Sequence, residues 1–255
     1  MQKNTAIFVF VFLLLTHFSF SQKTDSTKNT GYFSGSVSVT NNGISIVPTF
    51  SLEKPAALFM LSARKNRFSF DPDIRFSLSG KPWSFLFWAR YKLADNDKFK
   101  MSAGTHLGLN FRRTVLPING DSSELNVARR YLAGELYPRV LLTKNISVGI
   151  YYLYSNGLDE GTIGTTHFVT FNTNFSNIKL SDQFFINFNP QLYYLKLDAE
   201  DGFFFTSSLT VAKKNFPLSV SSIINKRIES DIPGSKDFVW NISLVYSFSK
   251  KLLKI

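Results

Sequence analysis

Before composition or charge is considered, a two-residue rhythm already narrows what this chain can become. It is clearest from Phe238 to Phe248, F-V-W-N-I-S-L-V-Y-S-F. On an extended backbone Phe238, Trp240, Ile242, Leu244, Tyr246 and Phe248 share one face, and Val239, Asn241, Ser243, Val245 and Ser247 share the other. The first face is apolar throughout and carries an aromatic at each end; the second is small and mostly polar. Such a strand suits hydrocarbon on one side, with its aromatic ends at the two headgroup boundaries, and a hydrated space on the other.

The same rhythm recurs from Gly31 onward, behind a different kind of opening. Lys3, the apolar run Ala6 to Leu15 and the small residues of Ser19-Phe20-Ser21 read as a secretory signal peptide over 1–21, cleaved before Gln22. Residues 22–30 are polar and read as a periplasmic lead. After Ser21 no apolar run approaches the roughly 20 residues that a membrane helix requires. The chain holds no cysteine, which excludes a thioether lipid anchor, disulfides, thiolate metal sites and a cysteine nucleophile together. With 27 Phe, abundant Ser, Thr and Asn and only 18% charged residues, an exported chain of short strands points to an all-β, closed antiparallel up-and-down transmembrane barrel over 31–248. A soluble β-sandwich would instead need its aromatics shared between two facing sheets.

Thirteen segments alternate well enough to be strands. Phe33–Thr40 is rich in small residues and the weakest of them; it is expected to merge with its neighbour or to serve as a lead-in, which leaves twelve strands within a range of 10–14. Asn42-Gly43 reads as a hairpin turn, followed by a strand Ile44–Leu52 whose Pro48 marks an edge or bulge. Arg112 to Ala128 reads as the longest loop. Residues 249–255, with Lys250, Lys251 and Lys254, read as a basic tail.

Facing predicts a lumen. Arg67, Asp71, Asp73 and Arg75, then Arg90, Lys92, Lys98, Lys100, His106 and Asn110, then Glu135 and Arg139, all fall on the polar side of their segments, with Arg64 and Arg129. Later segments turn uncharged groups the same way, among them Thr170, Asn172, Asn187, Asn189, Gln191, Thr206, Ser208 and Asn241. That interior is lopsided and net positive, and if open it favours anions. Ten of the 18 acidic residues lie in four longer connections, while short turns carry Lys65, Lys144, Lys213 and Lys214, so an acidic outer rim and a basic periplasmic rim are expected. Acidic loops at that level can share divalent cations with lipopolysaccharide phosphates. Nucleic acid does not explain the formal charge of +11, since no compact basic face with stacking aromatics occurs.

Chemistry-bearing patterns are sparse. His167 falls on the apolar outward face near Ser155 and Asp159, but without a G-x-S-x-G element, so lipid hydrolysis is a distant alternative. Two separated histidines give no zinc arrangement, and Asp198 to Gly202 lacks calcium-loop spacing, so neither metal nor cofactor is expected.

Across Gly31 to Phe248 the leader, the alternation and the final Trp240, Tyr246 and Phe248 resemble Gram-negative outer-membrane β-barrel proteins, and the Phe, Asn, Lys and Ile bias resembles proteins of the Bacteroidota. In that class an aromatic-ended last strand is read by the barrel-insertion machinery, which implies Trp240, Tyr246 and Phe248 as the insertion signal; the seven residues after Phe248 depart from the pattern. The function implied is a narrow porin-like channel for small, anionic solutes. The alternative is a non-conducting accessory barrel bound to other outer-membrane proteins. Either would lie in the outer membrane, in contact with its lipid and lipopolysaccharide.

Overall fold

A computed structural model describes residues 31–45, 47–118 and 121–252. The expected leader and lead, 1–21 and 22–30, lie outside the described residues, as do 253–255. Twelve strands follow in chain order: β1 Gly31–Thr40, β2 Ala56–Lys65, β3 Phe68–Ser77, β4 Pro82–Asp95, β5 Phe99–Ile118, β6 Asp121–Leu141, β7 Ile146–Gly157, β8 Thr165–Lys179, β9 Phe184–Leu197, β10 Glu200–Lys213, β11 Leu218–Ser230 and β12 Phe238–Leu252. Each pairs antiparallel with the next, and β1 pairs with β12, so the sheet closes into a barrel with no free edge. The closing register runs unbroken from Gly31↔Leu252 to Thr40↔Ser243, carrying β12 four residues beyond Phe248.

Three expectations are corrected. The weak segment Phe33–Thr40 is a full strand: Ser34, Ser36, Ser38 and Thr40 face inward, and Phe33, Val37 and Val39 outward. The segment discarded by the fold is Ile44–Leu52, which leaves the wall and turns into the bore through a 3-10 turn at Pro48–Phe50. Pro48 supplies a fixed φ while withholding an N–H from any ladder. Third, within the expected loop Arg112 to Ala128, residues 112–118 and 121–128 continue the β5–β6 ladder, paired from Phe111↔Ala128 to Ile118↔Asp121.

Outside, exposed apolar side chains cover the wall: Leu132, Ile150, Phe171, Leu192, Ile242 and Leu244 are all at least half accessible. Aromatics concentrate in two bands. One, near the end that holds the longer connections, contains the ring chain Phe59–Phe76–Phe85–Phe111, then Tyr152, Tyr154, Tyr194, Phe203 and Trp240. The other, near the chain ends, contains Phe33, Phe248, Tyr246, Phe68, Tyr91 and Phe184. An apolar belt between two aromatic girdles is the surface that a bilayer demands of a barrel. On this face the Phe248 ring lies over Gly35, where an added Cβ would sit 2.9 Å from the ring and 2.6 Å from the Met60 carbonyl oxygen.

Candidate functional site: the lumen

The bore contains three zones, each built from inward positions of successive strands. The first is a charged network on β2 to β7. Asp71 accepts from Ser62 Oγ at 2.5 Å and Ser69 Oγ at 2.8 Å, and from Arg90 Nη1 at 3.1 Å. Arg90 Nε donates to Glu135 Oε1 at 2.6 Å, and the Tyr151 hydroxyl donates to Glu135 Oε2 at 2.7 Å. Trp88 lies 4.1 Å beneath the Arg90 guanidinium. Arg75 forms a two-point pair with Asp73, at 2.9 and 2.5 Å. Nearer the chain ends Asp95 takes both Lys92 at 2.5 Å and Lys100. Much of the expected net positive lumen is therefore neutralised in place. Arg64 and Arg139 have no carboxylate partner among the described residues; Arg139 lies over the Tyr137 ring at 5.5 Å. Arg67 and Lys98 belong to turns at the rim and not to the bore wall.

Uncharged groups continue the network around β8 and β9. Tyr137 donates to Asn172 at 2.8 Å, Thr170 to Gln191 at 3.3 Å, Gln191 to Asn189, and Asn189 to the Thr173 carbonyl at 2.9 Å. Asn187 accepts from the Asn177 backbone at 2.8 Å.

The second zone is apolar and stands toward the end of the longer connections. Phe168, Tyr193, Leu195, Leu197 and Phe204, all inward, form a buried cluster with Ile232, against which Val47, Tyr151, Leu153 and Ile163 pack. Sequence reasoning missed it, although parity marks it: Phe168 shares a face with Thr170, Tyr193 with Gln191, and Phe204 with Thr206.

The third zone is a cavity of about 640 Å³ reached by every strand except β9. The inturned 41–55 segment roofs it. Trp83 Nε1 donates to the Phe50 carbonyl at 2.7 Å, the Phe50 ring meets Tyr131 at 5.1 Å, and Arg112 lies over Phe50 at 5.8 Å. Gly43 lies under the Trp83 ring, where a Cβ would stand 3.0 Å from it. Met60, an inward methionine on this cavity, is 46% exposed, so the bore contains accessible space.

Outside the lumen, His167 Nδ1 meets the Tyr152 hydroxyl at 3.0 Å and its ring packs on Tyr154. Ser155 faces the cavity on the opposite side of the wall, and Asp159 binds Arg130 at 2.6 Å, so the three are not brought together. Arg130 holds the Asp159 carboxyl below the usual carboxylate range. The Thr165 and Gly164 backbone N–H groups, at 2.7 and 3.0 Å, do the same for Asp198. Arg227–Asp237 and Lys236–Glu53 are further ion pairs at this end.

No protein-family model matches the chain, and no curated protein matches it. Among solved structures, it is similar to the KdgM porin in complex with disordered oligogalacturonate, with a TM-score of 0.53 at 12% identity over 85% of this chain and 99% of that one. A second similar structure is an outer membrane channel from Pseudomonas putida F1, with a TM-score of 0.49 at 9% identity over 90% of this chain and 99% of that one. At 12% identity the likeness to the porin is one of fold.

Proposed function

We propose that the chain is a narrow outer-membrane channel that passes small solutes through a bore constricted by its 41–55 segment. The observation that carries this reading is the accessible cavity inside a closed, lipid-faced barrel, with the inward Met60 46% exposed. The longer connections then face outward and the chain ends face the periplasm, as in bacterial barrels generally. The porin that shares the fold holds an oligogalacturonate in its structure, which is consistent with solute passage. Because Arg75 and Arg90 are paired, anion preference rests on Arg64, Arg129, Arg139 and the two lysines around Asp95, and it is weak. Outward Trp240, Tyr246 and Phe248 serve as the insertion signal, and the acidic rim meets lipopolysaccharide.

Planar-bilayer recording tests the proposal. Wild-type protein gives small unitary currents with slight anion selectivity, and shortening residues 43–52 raises conductance several-fold. Folded protein without current in either form refutes it. The apolar cluster around Phe204 favours the second reading, an accessory barrel with a filled bore. A stoichiometric partner in pull-downs from native membranes, together with absent current, would select that reading.

A further inference from the structure

The cavity wall is mixed. Leu58, Met60, Leu86, Trp88, Ile223 and Val245 present apolar surface to it from strands on opposite sides of the bore, with small hydroxyls such as Ser36, Ser38, Ser221 and Ser243 between them. One polar patch is buried and unbonded. Ser84, His106 and Asn110 line the same cavity from the paired strands β4 and β5, with Ser84 directly opposite Asn110 and Trp88 opposite His106. All three are more than nine-tenths buried, at 6%, 8% and 6% exposure. Among the described residues none of the three side chains makes a hydrogen bond; His106 Nδ1 is the enclosed atom without a partner, and the other polar atoms of the patch are open to the cavity. Buried polar groups are almost always satisfied, and leaving one unsatisfied costs free energy. Three together on one wall of the chamber are the polar end of a binding site.

We propose that this chamber binds a neutral solute with an apolar, ring-sized body and one hydrogen-bonding end, the body lying against Trp88 and Leu86 and the polar end meeting Ser84, His106 and Asn110. The volume, about 640 Å³, is in the range that holds a drug-sized molecule. Charge favours a neutral occupant: Arg75 and Arg90 already hold carboxylates, and Arg129, which pairs opposite Asn110, donates to the Gly161 carbonyl at 2.7 Å. Trp88 packs on His106 with ring centroids 3.9 Å apart and planes tilted by 52°, and it lines the cavity, so an occupant touches an indole. This inference rests on the channel reading only for the claim that the occupant is cargo.

The protein's three tryptophans supply the test. The full chain, labelled with 5-fluorotryptophan and held in detergent, gives fluorine resonances for Trp83, Trp88 and Trp240. Trp240 is on the outer wall, so it reports partition of the probe into detergent. Titration with naphthylmethanol should move the Trp88 resonance saturably, while Trp240 shifts without saturation. Asn110→Ala should weaken naphthylmethanol about tenfold and leave 1-methylnaphthalene, which lacks the hydroxyl, unchanged. Ser84→Ala serves the same purpose if the first variant does not fold. A Trp88 response no more saturable than that of Trp240, or equal responses to glucose and naphthylmethanol, overturns the proposal. Current without saturable binding removes this site and keeps the channel; saturable binding without current keeps the site and removes the channel.

Discussion

Replacing Glu135 by alanine should be among the most damaging single changes in the bore. Its side chain is 2% exposed and its carboxylate receives Arg90 Nε at 2.6 Å, Arg90 Nη2 at 3.4 Å and the Tyr151 hydroxyl at 2.7 Å. Removing one partner of a buried ion pair costs about 3–5 kcal/mol. Here Arg90 is 31% exposed and keeps Asp71 at 3.1 Å, which places its share near the bottom of that range. The orphaned Tyr151 hydroxyl adds about 1 kcal/mol, so the total is about 3–4 kcal/mol. Guanidinium unfolding followed by Trp fluorescence should register a midpoint lowered by about 1 M. Glu135→Gln keeps size and an acceptor and should cost less. A cycle of Glu135→Gln with Arg90→Met should give a coupling energy of about 1–2 kcal/mol. If Glu135→Ala unfolds within about 0.5 kcal/mol of wild type, the network contributes nothing and the pairing logic fails.

Phe204→Ala should cost about 3–5 kcal/mol in the same assay, because the ring is 1% exposed and stacks on Tyr193 at 4.9 Å; a loss below about 1 kcal/mol would mean that the cluster is slack. Gly35→Ala forces a Cβ to 2.6 Å from a carbonyl oxygen and should lower the temperature at which the barrel loses its compact gel mobility. Trp83→Phe frees the Phe50 carbonyl and should raise both mean current and current noise, with unchanged current refuting the tether. Asp198 has a depressed folded-state pKa, held down by the Thr165 and Gly164 amides, so its stabilisation is complete above the ordinary value of about 3.9 and is lost as pH falls through the lower folded value. Wild type should melt above Asp198→Asn at pH 7, and the gap should close near pH 2.

Alternation made the barrel legible, because side-chain period two reports facing directly, and Phe238 to Phe248 or Phe68 to Ser77 need nothing else. The strand number also emerged, but through the wrong omission. Ser34, Ser36 and Ser38 made β1 look feeble when they are simply its lumen face, while Ile44–Leu52 looked like a strand because Ile44, Ile46, Pro48, Phe50 and Leu52 alternate in sequence with Ser45, Thr49 and Ser51. Asn119-Gly120 is itself a hairpin signal, and reading it as loop cost fifteen residues of ladder. The site was harder to see. Facing says that Arg90 and Trp88 share the interior, yet not whether that interior is wet. The answer depends on where 41–55 goes, and on contacts such as Val47 against Phe168 that join distant parts of the chain.

The seam between β1 and β12 has a mechanical corollary. Gly31 and Leu252 face each other one strand spacing apart, about 4.8 Å, so a short glycine linker can join them without bending either strand. New ends opened between Leu158 and Gly164 would leave every ladder intact, and the rearranged chain should reach the same barrel. In this ring any strand can be the first, and order of synthesis is a matter of folding route rather than of the finished wall.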